Sequence, residues 1–124
     1  MTTTLTYNGI ITGDNTSHDL VLNQSGTTGT LVLGGTSTYI GSTKIYNGTL
    51  SISDELNLGP TSCNNTDCID LYNAGVLQIT DDVTFGNNQG IDIANSDNTK
   101  ILIATGKTLT LNHEFIIAAT ERMY

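Results

Sequence analysis

The sequence predicts an all-β fold of the β-solenoid kind, on three observations: alternation of apolar and polar residues, a recurring short word, and a surface almost without charge. The alternation comes first. Apolar residues return as pairs at i and i+2: Leu20/Leu22, Leu31/Leu33, Leu50/Ile52, Leu56/Leu58, Ile69/Leu71, Leu77/Ile79, Val83/Phe85, Ile91/Ile93, Ile101/Ile103 and Leu109/Leu111. The intervening residue is usually polar, as at Ser51, Asp70, Gln78, Thr84, Asp92 and Thr110. A period of two over a short run describes a strand with one buried and one exposed face. No stretch sustains a helical period, and the one candidate for a helical turn is the tail, 114–124.

The second observation is repetition. Gly29-Thr30-Leu31-Val32-Leu33, Gly48-Thr49-Leu50-Ser51-Ile52 and Gly75-Val76-Leu77-Gln78-Ile79 are one pattern written three times, with looser copies at Gly90 and Gly106. Tyr7-Asn8-Gly9, Tyr46-Asn47-Gly48 and Tyr72-Asn73-Ala74-Gly75 form a second recurring word. Gly9, Gly29, Gly48, Gly75, Gly90 and Gly106 serve as markers, with the widest interval between Gly48 and Gly75. One marker per turn predicts about six turns. Repeats of about 20 residues with short strands and Gly/Asn corners suit stacked turns whose equivalent side chains form ladders. An antiparallel sandwich is the rival, since Asn-Gly also marks hairpins. A sandwich has no cause to repeat one word at similar intervals, and it usually holds a bulky aromatic centre. Here Trp is absent and aromatics make up 6%.

The third observation is composition. Only 13% of residues are charged in a chain of 124, about half the usual fraction, so Thr, Asn, Ser and Gly must make the surface. These residues favour turns and strand faces over helices. Four Lys+Arg against twelve Asp+Glu give a net charge of −8. That excess argues against nucleic acid or anionic lipid as the primary partner, since both demand basic patches. Mean hydropathy is −0.06, and no apolar run approaches the ~20 residues of a membrane span. The opening Met1-Thr2-Thr3-Thr4-Leu5-Thr6 lacks a basic start followed by an apolar stretch, so a signal peptide is not expected within these residues.

Residues 31–50, Leu-Val-Leu-Gly-Gly-Thr-Ser-Thr-Tyr-Ile-Gly-Ser-Thr-Lys-Ile-Tyr-Asn-Gly-Thr-Leu, resemble the autotransporter-associated β-strand repeat. Gly29, Gly35, Tyr39, Gly41, Thr43, Ile45 and Gly48 fall on its positions, while Ser37 stands where Asn is usual. Gly9-Ile10-Ile11-Thr12-Gly13 and Leu56-Asn57-Leu58-Gly59 are similar to flanking passenger segments, and the likeness spans roughly residues 7–112. The resemblance implies a single-stranded right-handed parallel β-helix over 1–113, followed by a tail or cap at 114–124. It implies a passenger segment of a Gram-negative type V secretion protein, exposed at the cell surface or outside the cell. Its partners would be the rest of the autotransporter chain (neighbouring turns and a C-terminal barrel) and a host surface protein or glycan. The expected role is a non-catalytic stalk or adhesin scaffold, without cofactor or metal. The alternatives are a lyase or hydrolase built on the same helix, or a truncated relic.

Few residues offer chemistry. Cys63 and Cys68 have a C-x4-C spacing that zinc tolerates, but a closed site needs two more ligands, and His18 and His113 are far apart. A redox motif would prefer C-x-x-C. In an exported protein the pair reads as a small loop disulfide. The acidic residues are scattered. Asp81-Asp82 suits a weak calcium contact or, better, a solvated turn, because no calcium-binding nonapeptide is present. Tyr39, Tyr46 and Tyr72 are either platforms for sugars or covers for the corners between turns. The stretch 60–68, with Pro, both cysteines and no apolar pair, is expected to leave the solenoid as a loop.

Overall fold

A computed structural model describes residues 3–14, 18–23, 29–59, 68–86, 89–94 and 98–117. Its ten strands are β1 (Thr4–Tyr7), β2 (Leu20–Asn23), β3 (Thr30–Leu33), β4 (Thr43–Ile52), β5 (Ile69–Ile79), β6 (Val83–Phe85), β7 (Ile91–Ala94), β8 (Lys100–Ile103), β9 (Leu109–Leu111) and β10 (Phe115–Ile117). Every pairing among them is parallel. The chain is a β-solenoid, and the sandwich is excluded.

Two columns of strands carry the stack. On one side β1, β3, the second half of β4, the second half of β5 and β8 lie in succession, with Leu5, Leu31, Leu50, Leu77 and Ile101 in register. On the next side β2, the first half of β4, the first half of β5, β7 and β10 do the same, with Leu22, Ile45, Leu71, Ile93 and Ile117 in register. β4 and β5 run through the corner between the two sides, which is why they reach 10 and 11 residues. The third side is less regular. There the Ser37 N–H donates to the Leu56 carbonyl at 2.9 Å, the Thr38 N–H donates to the Ile11 carbonyl at 2.8 Å, and β6 pairs with β9.

Five rungs in each column make about four turns, not six. The overcount has a simple cause. Gly29, Gly48 and Gly75 do precede equivalent strands, but Gly90 precedes β7, on the other side of the stack. Gly106 likewise falls inside the turn that β8 begins. The equivalent places along the first column are Thr4, Thr30, Thr49, Val76 and Lys100, and the intervals between them are unequal. A glycine can serve any corner, so glycines alone overcount turns.

The apolar pairs point inward as expected. Ile45, Leu50, Leu71, Leu77, Ile79, Phe85 and Ile91 are all 0% exposed, and with Leu33, Ile52, Ile69 and Val83 they fill the space between the three sides. At about 25 cal/mol per Å² of apolar surface this column is the main stabilising element. Leu56/Leu58 is the exception. The segment Glu55–Leu58 is a 3-10 turn, with Leu58 buried and Leu56 42% exposed. Asp54 caps the Leu56 N–H, and Asn57 Oδ1 accepts from the Ser53 and Asp54 N–H groups at 3.0 Å. Local capping wins there over a period of two.

At the other end, part of the segment expected as a tail or cap is a strand. Phe115–Ile117 pairs in register with Ile91–Ile93, so strand stacking reaches Ile117. Three consecutive apolar residues hid the alternation. Residues 118–124 lie outside the described residues.

Candidate functional site

The side formed by β2, β4, β5, β7 and β10 brings together the polar groups best placed to meet a ligand. Its outward column reads Val21, Lys44, Asp70, Asp92 and Ile116, each the register partner of the next. Asp70 and Asp92 are a full turn apart in sequence, yet they occupy adjacent rungs, about 4.7–4.9 Å apart along the stack. Lys44 is one rung below Asp70, and its Nζ lies 2.9 Å from Asp19 Oδ2. Asp19 also accepts from the Ser42 N–H at 2.8 Å. The carboxylates that look scattered along the chain are thus partly gathered by the stack.

Electrostatics limits what this column can do. Burial raises the Asp19 pKa, but the Lys44 and Ser42 hydrogen bonds outweigh it and hold the carboxyl below its ordinary value. Lys44 is held above its ordinary value by the hydrogen bond to Asp19. A lysine stabilised as the cation is a poor general base. Asp70 is 4% exposed, which keeps its carboxylate from a polymeric substrate. Tyr72 lies two residues beyond Asp70 on β5, in register with Ala94, its phenol pushed up by desolvation and then by the charge of Asp70.

The corner above this side carries Tyr46 and Tyr72. The rings of Tyr46 and Tyr72 stack with centroids 4.5 Å apart and planes 10° apart. The stacked faces are therefore occupied by one another. Tyr39 is different: it is 2% exposed, inside the core, with its hydroxyl bonded to Thr43 Oγ1. Tyr7-Asn8-Gly9, the third copy of the word, does not share this corner. Tyr7 ends β1 in register with Leu33, on the other side of the stack.

Asp81 and Asp82 tie one rung to the next. Asp81 Oδ1 lies 2.9 Å from Lys107 Nζ, and Asp82 Oδ1 accepts from the Thr108 N–H at 2.9 Å. Among the described residues no group of three or more His, Cys, Asp or Glu is placed to hold a metal ion. His18 and His113 belong to the first and last rungs. His18 Nδ1 is 3.3 Å from Asp14 beside an open cavity of about 480 Å³ lined by Thr12, Gly13, Asp14, His18 and Thr38.

Cys68 is buried at the start of β5, where its carbonyl accepts from the Thr43 N–H at 2.8 Å. Its expected partner Cys63 lies outside the described residues, as does the rest of the expected loop, 60–67.

One buried polar group escaped the sequence reading. Asn57 is 3% exposed; besides its cap bonds, its Nδ2 donates to the Gly35 carbonyl at 3.0 Å, joining two rungs. The signal was Asp54-x-x-Asn57, a capping pattern hidden inside an apolar pair. Compared with known proteins, no family model, no curated protein and no solved structure matches this chain.

Proposed function

We propose that the chain is a non-catalytic β-helical segment of a Gram-negative autotransporter passenger, serving as a surface stalk or adhesin scaffold. The observation that carries this reading is the set of inward ladders, which run through all five rungs without a gap in either column. Such a stack is a stiff spacer, because each rung satisfies the backbone of its neighbours while the polar faces and corner loops stay outside. The likeness of 29–52 to the passenger repeat supports the assignment: Thr43, Ile45 and Tyr39 are all buried, as a repeat built to stack requires. Neighbouring turns and a membrane barrel of the same polypeptide are the proposed partners, with a host protein or glycan at the loops. The Cys63–Cys68 disulfide belongs to this proposal, since an exported chain can keep a short cross-link.

An antibody against the chain, used on intact and on lysed cells that encode it, tests the reading. The expected result is surface labelling, removable by added protease, and an immunoblot band far above 13.2 kDa. A band of that small size confined to the cytosol would reject it.

The outer column of Lys44, Asp70 and Asp92 is the one observation that favours a second reading, a lyase or hydrolase on the same helix. It is the weaker reading, given the buried Asp70 and the protonated Lys44. Cleavage of an anionic polysaccharide that Asp92→Asn abolishes would reverse the preference.

A further inference from the structure

Asp70 and Asp92 differ from the other carboxylates in lying side by side inside the stack. They are register partners on β5 and β7, with β4 below the pair and β10 above it. The Oδ1 atom of each is sealed from solvent, and Asp70 as a whole is 4% exposed. A rung spacing of about 4.7–4.9 Å thus holds two carboxyl groups of one sign together where little water screens them. The groups that face the pair do not cancel a second charge. On β4 the register partner of Asp70 is Lys44, whose Nζ is already 2.9 Å from Asp19 Oδ2. The phenols at the adjoining corner, Tyr46 and Tyr72, bring no positive charge; Tyr72 is pushed up by desolvation and then by Asp70, with Asp92 adding in the same sense. On β10 the register partner of Asp92 is the uncharged Ile116. Glu114, just before that strand, is exposed and of the same sign.

We propose that Asp70 and Asp92 hold one proton between them in mild acid and release it toward neutral pH, so that β5 and β7 pack more firmly in acid. The second negative charge has to form beside the first in a poorly solvated place, so the last proton leaves above the range of a lone aspartate. Both steps belong to the pair rather than to either residue. The unfolded chain releases its aspartate protons near the ordinary value of about 3.9. Between that value and the upper step, the folded chain holds one proton more than the unfolded chain. Stability is therefore greatest in acid and declines as pH rises through this window. Asp19 acts in the opposite sense: despite desolvation, Lys44 and the Ser42 N–H hold it below its ordinary value, so its contribution is lost as pH falls. The device does not rest on the passenger role, because it concerns only two interior rungs.

Carbon-13 NMR of the side-chain carboxyls, in the whole chain labelled at aspartate and titrated from about pH 3 to about pH 8, tests the proposal. The Asp70 and Asp92 signals should move in two shared steps, the upper one about one pH unit or more above the step of the exposed Asp14. In Asp92→Asn the Asp70 signal should move in one step, below the parent's upper one, because its like-charged neighbour is gone while Lys44 stays. Asp70→Asn serves if that variant does not fold, with Asp92 then moving in one step. Melting temperatures give a second reading. Between about pH 5 and about pH 7 the parent's should fall more steeply than that of Asp92→Asn. Asp14→Asn, which removes the same charge from an exposed side chain, should keep the parent's slope. Separate single steps for Asp70 and Asp92 in the parent, at or below that of Asp14, overturn the proposal. So does an Asp70 step that Asp92→Asn leaves in place, or an equal slope in the parent and Asp92→Asn.

Discussion

Tyr39 shows what a single buried hydroxyl does in this stack. Desolvation pushes its phenol up to about 12, partly offset by the bond with Thr43. A group whose folded pKa is raised contributes stability that is whole below the unfolded value near 10 and is lost as pH climbs through about 12. Such a rise corresponds to about 2–3 kcal/mol. The melting temperature should therefore fall across that window, and Tyr39→Phe should remove much of the fall, at a cost near neutral pH of about 0.5–1.5 kcal/mol for the lost hydrogen bond. A thermal series from pH 8 to pH 12 for both proteins reads this directly. The second residue-scale case is the adjoining pair Thr49 and Leu50. Leu50 is 0% exposed between Leu31 and Leu77, while Thr49 is half-buried on the outer face. Leu50→Ala should cost about 2–5 kcal/mol and Thr49→Ala about 0.5 kcal/mol. Equal losses in urea titrations would refute the register.

At the scale of elements, corners and caps matter more than strands. In β4 the corner Tyr46-Asn47-Gly48 places Gly48 at φ 84°, a conformation that suits glycine. In β5 the corner has an extra residue, and Asn73 takes the left-handed position at φ 48° instead. Register passes from Ile45/Leu71 to Asn47/Ala74, so Tyr46 faces a pair of residues and the extra one forms a bulge. Gly75 serves a different need: a Cβ there would lie 2.3 Å from the Ile45 carbonyl oxygen, so the close approach of backbones requires glycine. The difference between Tyr-Asn-Gly and Tyr-Asn-Ala-Gly was visible in the chain; which residue turns left-handed was not. The 3-10 turn hangs on Asn57, which meets three backbone groups. Asn57→Ala leaves two N–H groups and one carbonyl without that partner. It should cost about 1–3 kcal/mol, more than Glu55→Ala, which removes no such bond; chemical denaturation of the two variants compares them.

For the whole molecule, the decisive quantity is the number of rungs and what connects them. The step from Thr49 to Val76 is markedly longer than the step from Thr30 to Thr49. A stack accommodates such excess only between strands, since lengthening a strand disturbs the rungs on either side. The buried Gly59 and Cys68 bound the interval 60–67. The expected loop therefore stops short of Cys68, which is buried, and replacing 60–67 with a short Gly-Ser turn should preserve the β-type circular dichroism and lower the melting temperature only slightly. An unfolded product would show that the segment belongs to the core. Thiol counting on the denatured, unreduced parent should find no free thiol.

The residues alone were sufficient for most strand positions, the inward faces and the solenoid class, but not for β1, the first half of β4 or β10, which hold none of the apolar pairs. Every apolar pair except Leu56/Leu58 lies in a strand, because alternation is a local property that burial then enforces. They were insufficient for the rung count, because Gly and Asn suit every corner and carry no label for which one. Nor could they place Asp70 beside Asp92, or Lys44 beside Asp19. Those are neighbourhoods across a whole turn of the chain. Only the stacking distance and register, set by packing of the whole core, decide which residues become neighbours.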